Sequence, residues 1–112
     1  MASEFRDDSD FRRAVTDVLE ALTSQVDVLD EDAIDARLIP GSLEVVFEEA
    51  GGTFVLSQQT PTHELWLSAN LRAWHFRRVG GAWVERDTAE PMLQLLGRLF
   101  SEKLGRAVQF GL

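Results

Sequence analysis

The sequence predicts an α+β fold, a two-layer α/β sandwich in which two terminal helices pack on one face of a mostly antiparallel sheet of about six strands. Three observations predict it. Apolar residues recur at helical spacing near both ends of the chain, short alternating segments bounded by turn residues fill the middle, and 112 residues are enough for one hydrophobic core but not two. Residues 1–112 therefore read as a single domain, with the first few residues expected to be disordered.

The first helix begins at Ser9, a residue type that caps helices, and carries Phe11, Val15, Val18, Leu19, Leu22, Val26 and Leu29 at steps of three and four. On the same helical wheel Asp17, Glu20, Asp27 and Glu31 fall opposite that apolar stripe. Strands follow over residues 34–39, 43–48, 53–59, 64–68, 73–78 and 82–85, separated by Pro40-Gly41-Ser42, Ala50-Gly51-Gly52, Pro61 and Gly80-Gly81. The second helix takes Asp87 or Thr88 as its cap and Pro91 in its first turn, and buries Met92, Leu95, Leu96, Leu99, Phe100 and Leu104 before Gly105 stops it. An extended tail covers residues 107–110. Two amphipathic helices cover only one face of such a sheet, so the other face meets water.

Composition narrows the function. The chain is 45% hydrophobic and 27% charged, ordinary for a globular domain and far from the signature of disorder. It has no cysteine, so any metal must meet oxygen or imidazole. An acidic start unlike a targeting peptide, and apolar runs far below the roughly 20 residues that cross a bilayer, make the cytoplasm the expected location and leave no membrane role. The net charge of −8 is unevenly placed: residues 1–35 hold eleven acids against three arginines, while residues 36–112 hold eight of each sign. A field of this kind repels nucleic acid and anionic lipid and attracts cations and basic protein surfaces.

Catalytic motifs are missing. There is no GxxxxGK[ST], GxGxxG, HExxH or GxSxG, and the paired glycines lie between strands as hairpin turns. His63 and His75 read as surface histidines outside any triad. A convex helix face offers its carboxylates no cleft in which their pKa values could be driven apart, so the chain reads as a binding domain and not an enzyme.

Two surfaces stand out. Asp27, Asp30, Glu31, Asp32 and Asp35 place five carboxylates within nine residues, a donor set suited to hard cations but without the spacing of an EF-hand loop. Such a site binds weakly and keeps water on the metal; the plainer alternative is a solubilising face. On the sheet, Phe54, Leu56, Leu65, Leu67 and Phe76 point toward the helices, which sends Ser57, Gln59, Glu64, Trp66, Ser68, His75 and Arg77 outward. A tryptophan there either packs flat on a cross-strand neighbour such as His75 or anchors a partner.

The run Gln59-Thr60-Pro61-Thr62-His63-Glu64-Leu65-Trp66-Leu67-Ser68, followed by His75-Phe76 and Trp83 and preceded by an acidic first helix, closely resembles the frataxin family, including the bacterial CyaY proteins. The likeness runs from about Asp8 to Phe110. It implies an iron chaperone: a protein that holds Fe²⁺ or Fe³⁺ weakly on an acidic ridge, tolerates other divalent cations, and regulates iron–sulfur cluster assembly by docking on cysteine desulfurase and its scaffold protein. By position, the implied metal residues are Glu20, Asp27, Asp30, Glu31, Asp32, Asp35 and Glu44, and the implied partner residues are Ser57, Gln59, Glu64, Trp66 and His75. A monomer is expected without iron. Ferroxidase or iron-storage activity, claimed for some members, is the alternative, although no paired Glu-x-x-His motif of a di-iron centre is present; a metal-independent acidic interaction domain is another. Ser57 stands where the family often has asparagine, and Glu64 where it often has glutamine.

Overall fold

The computed structural model describes residues 3–29 and 32–112, and its element order is one helix, six strands and a second helix. Helix α1 spans Asp8–Asp27 and buries Phe11, Val15, Leu19, Leu22 and Val26, with Val18 and Leu29 packed at the margin of the same core. Its cap is Asp7, not Ser9. Asp7 has extended backbone, and its carboxylate accepts the Asp10 N–H at 2.9 Å, which satisfies a donor that the first turn leaves free.

Strands β1 (Ile34–Ile39), β2 (Ser42–Phe47), β3 (Thr53–Gln59), β4 (Glu64–Ala69), β5 (Arg72–Val79) and β6 (Ala82–Glu85) form one sheet in chain order. Every neighbouring pair is antiparallel. Burial alternates along the strands, and Leu43, Val45, Phe54, Leu56, Leu65, Leu67, Trp74 and Phe76 all face the helices. Between β3 and β4 a short 3-10 turn at Thr60–Thr62 ends on His63, whose φ of 53° reverses the chain.

Helix α2 spans Met92–Leu104 and closes on Gly105 at φ 68°, as glycine at that position predicts. Its start differs from expectation, since neither Asp87 nor Thr88 caps it. The Glu85 carboxylate accepts the N–H groups of both, at 2.8 and 3.2 Å, and folds them into a turn. Ala89 then sits at φ 63°, where a right-handed helix cannot pass, so α2 waits for Pro91. The tail returns to α1, with Gln25 and Gly111 exchanging hydrogen bonds of 2.6 and 3.0 Å.

The core lies between the helix layer and the sheet, where Phe47, Phe54 and Phe100 meet edge to face at 4.7 to 5.5 Å. A void of about 20 Å³ beside Leu22, Leu56 and Phe100 holds no more than one water-sized body. From Ser3 onward the N-terminal segment lies against the sandwich: Phe5 packs on Phe11 and Trp83, and Glu4 accepts the Gly81 N–H. Among the described residues no helix is long and apolar enough to cross a membrane.

Candidate functional site

The acidic edge is carried by two layers. Glu20 and Asp27 are exposed on the outer side of α1, opposite its buried stripe, and seven residues of helical rise separate them by about 10 Å, too far to share one ion. Asp32 and Asp35 are exposed, whereas Asp30 and Glu31 lie outside the described residues. Alternation puts Asp35 and the half-buried Glu44 on the open sheet face, because Ile34, Leu43 and Val45 occupy the other. Among the described residues, no three acidic or histidine side chains converge on a common metal position. The chemistry on offer is a field of oxygen donors, each able to hold a hydrated cation at its outer surface.

The open face is organised differently. Register aligns Ser42, Ser57, Trp66 and His75 in one row across β2 to β5, and Gln59, Glu64, Arg77 and Val84 in the next across β3 to β6. Trp66 is 36% exposed. It does not lie flat on His75: the rings meet edge to face at 4.5 Å and 72°. The indole Nε1 donates to Glu64 Oε1 at 3.0 Å, and Arg86 Nη1 donates to the same oxygen at 3.3 Å. Glu64 belongs to the open face as expected, yet it is only 6% exposed, enclosed by polar partners that satisfy its charge. Ser57, Gln59 and His75 are half-buried around it. The sequence reading missed Arg86, which lies just past the end of β6 and returns to β4 only through the hairpin.

The patch is supported from beneath by Glu85, which is 4% exposed. Burial pushes its pKa up, but hydrogen bonds from the backbone N–H groups of His75, Asp87 and Thr88 pull it down more strongly, with the proximity of His75 adding to them, and the carboxyl stays below its ordinary range. Removing this carboxylate would leave three donors without their acceptor. On α1, Asp10 is also held low, first by its hydrogen bond from Arg6 at 2.6 Å.

His63 is not the plain surface histidine its position suggested. Its ring stacks on Phe11 at 4.8 Å and 13°, Nε2 lies 2.8 Å from Asp8 Oδ1, and Nδ1 lies 2.7 Å from Ser3 Oγ. A neutral ring protonated on Nε2 satisfies both contacts. Ser3 Oγ also accepts the Phe5 N–H at 3.1 Å, so the Ser–His–Asp chain pins the N-terminal segment to the turn before β4. No sequence spacing announces a contact between residues 3 and 63; it depends on the left-handed backbone at His63.

Comparison with known proteins places the fold. A family model described as the frataxin-like domain matches residues 4–106. Frataxin from Psychromonas ingrahamii is similar at 18% identity and a TM-score of 0.82, with 95% of this chain and 99% of that one covered. A trimeric frataxin from the yeast Saccharomyces cerevisiae, complexed with ferrous, is similar at 21% identity and a TM-score of 0.62, covering 95% and 92%. These likenesses establish a shared architecture.

Proposed function

The chain belongs to the frataxin-like family, and on that premise we propose that it is an iron-binding adaptor that regulates iron–sulfur cluster assembly in the cytoplasm. The observation that carries the reading is the concentration of the whole net charge of −8 into residues 1–35 of the sequence. Exposed carboxylates suit Fe²⁺ or Fe³⁺ as cargo, held by a few ligands and completed by water, and they steer a basic desulfurase surface toward the same edge. A related yeast frataxin is complexed with ferrous, which supports iron as the cation. The open face around Trp66 then serves the scaffold protein. It offers a large aromatic already fixed in one orientation, the property that makes a side chain an effective anchor.

Anaerobic titration of the ¹⁵N-labelled chain tests the reading. Fe²⁺ should shift amides of residues 20–35 at concentrations where Mg²⁺ does nothing, and reversing Asp27, Asp30 and Glu31 to lysine should abolish desulfurase binding. Equal responses to the two metals, together with unchanged desulfurase binding, would remove it.

A further inference from the structure

Beside Trp66 the open face carries an uncompensated positive charge. Register sets Arg77 directly across from Glu64, but Glu64 is taken by the Trp66 indole and by Arg86. Among the described residues Arg77 forms no ion pair, and its Nη2 reaches only the Arg86 carbonyl at 3.4 Å. Arg78, its neighbour, already faces Glu4 at 3.7 Å. Of the two guanidiniums beside Glu64, Arg86 holds the carboxylate and Arg77 is left over. It lines a cleft of about 430 Å³ between the turn before β4 and the end of β5, whose polar wall also includes Ser3, Thr62, His63, Arg78 and the Glu64 carboxylate that Arg86 holds.

Asp35, at the far edge of the sheet, lies too far away to cancel this charge. Three strands lie between β1 and β5, a distance of four spacings or about 19 Å, which is roughly two Debye lengths at physiological salt. The nearer carboxylates are already engaged, Glu4 by Arg78, Glu64 by Arg86 and Asp8 by His63, which leaves the Arg77 guanidinium available to a partner seated on Trp66.

We propose that the partner covering Trp66 is an extended acidic segment, with an apolar side chain on Trp66 and an aspartate or glutamate two residues away that enters the cleft at Arg77. The spacing follows from the sheet. Trp66 and Arg77 are diagonal neighbours across β4 and β5, about 7–8 Å apart, which matches the distance between side chains on the same side of an extended chain. The indole N–H is already bonded to Glu64, so the tryptophan offers an apolar ring and polar recognition falls to Arg77. This inference rests on the scaffold-docking reading of the open face and adds the chemistry of the contact.

The test uses the full chain and purified scaffold protein without desulfurase, by calorimetry, comparing wild type with Arg77→Glu, Arg77→Lys and Trp66→Ala. Arg77→Glu should weaken binding about tenfold or more, Arg77→Lys should retain most of it, and added salt should weaken wild type more than Arg77→Glu. Amide spectra of the variants should match wild type outside the cleft. If Trp66→Ala loses binding while Arg77→Glu binds as wild type, docking stands and the acidic partner is wrong. If neither variant changes binding, the docking reading fails and the inference with it.

Discussion

The acidic edge and the Trp66 patch are both polar surfaces of the same sandwich, but they are held in opposite ways. Glu20, Asp27 and Asp35 stand exposed on two separate layers. Trp66 is fixed by Glu64, Glu64 by Arg86, and the strand beneath them by Glu85. The first surface works through its field, tolerates rearrangement and recognises charge. The second works through geometry and tolerates little. Substitutions should therefore cost stability on the patch and only affinity on the edge.

The largest break in that contrast comes at Glu85. Glu85→Ala strands three backbone donors in a nearly dry position, and a loss of about 3 kcal/mol in urea unfolding is expected, with the β5–β6 hairpin losing amide protection first. The same group sets an acid limit. Its pKa is lower folded than unfolded, so its contribution is complete above the ordinary carboxylate value near 4.3 and drains away as pH falls through the lower folded value. Glu85→Gln should flatten the decline of stability below about pH 4; an unchanged acid profile would show that the clamp adds nothing to folding.

Next is the anchor itself. Glu64→Ala frees the Trp66 indole and Arg86, and because Arg86 is 41% exposed the expected cost is only about 1–2 kcal/mol. Glu64→Gln, which restores the residue common in the family, keeps an acceptor for the indole and should recover most of it. The Trp66 Nε1 proton reports the difference: sharp in wild type and Glu64→Gln, broadened or moved toward its solvent-exposed position in Glu64→Ala.

The sequence made the frame legible because periodicity and turn chemistry are local. Helical spacing from Phe11 to Val26, alternation in six strands, Gly41, Gly80-Gly81 and Gly105 all act within a few residues. Helix starts were less legible, since Asp7, Asp8 and Ser9 all offer capping oxygens and only the extended backbone at Asp7 decides among them. The second start was lost to Glu85, which captures the N–H groups that a cap would have served. The site was half visible. Trp66, Glu64 and His75 follow from alternation, but Arg86 and the Ser3–His63–Asp8 chain arise from residues 22 to 60 positions apart in sequence.

The smallest expected effect lies on the edge and sharpens the comparison most. Glu20→Gln with Asp27→Asn removes two exposed charges from a region of like charge, so unfolding free energy should stay within about 0.5 kcal/mol and rise, if it moves, by relief of repulsion. That gain should fade between low and high salt, because exposed charges are screened over about 10 Å at 0.1 M. Urea unfolding at both salt concentrations, beside Fe²⁺ titration of the same protein, separates the two roles. Weakened metal response with stability unchanged is the result expected of a surface kept for its field. A loss of 2 kcal/mol or more would mean that the edge is part of the scaffold, and the division between the two surfaces would not hold.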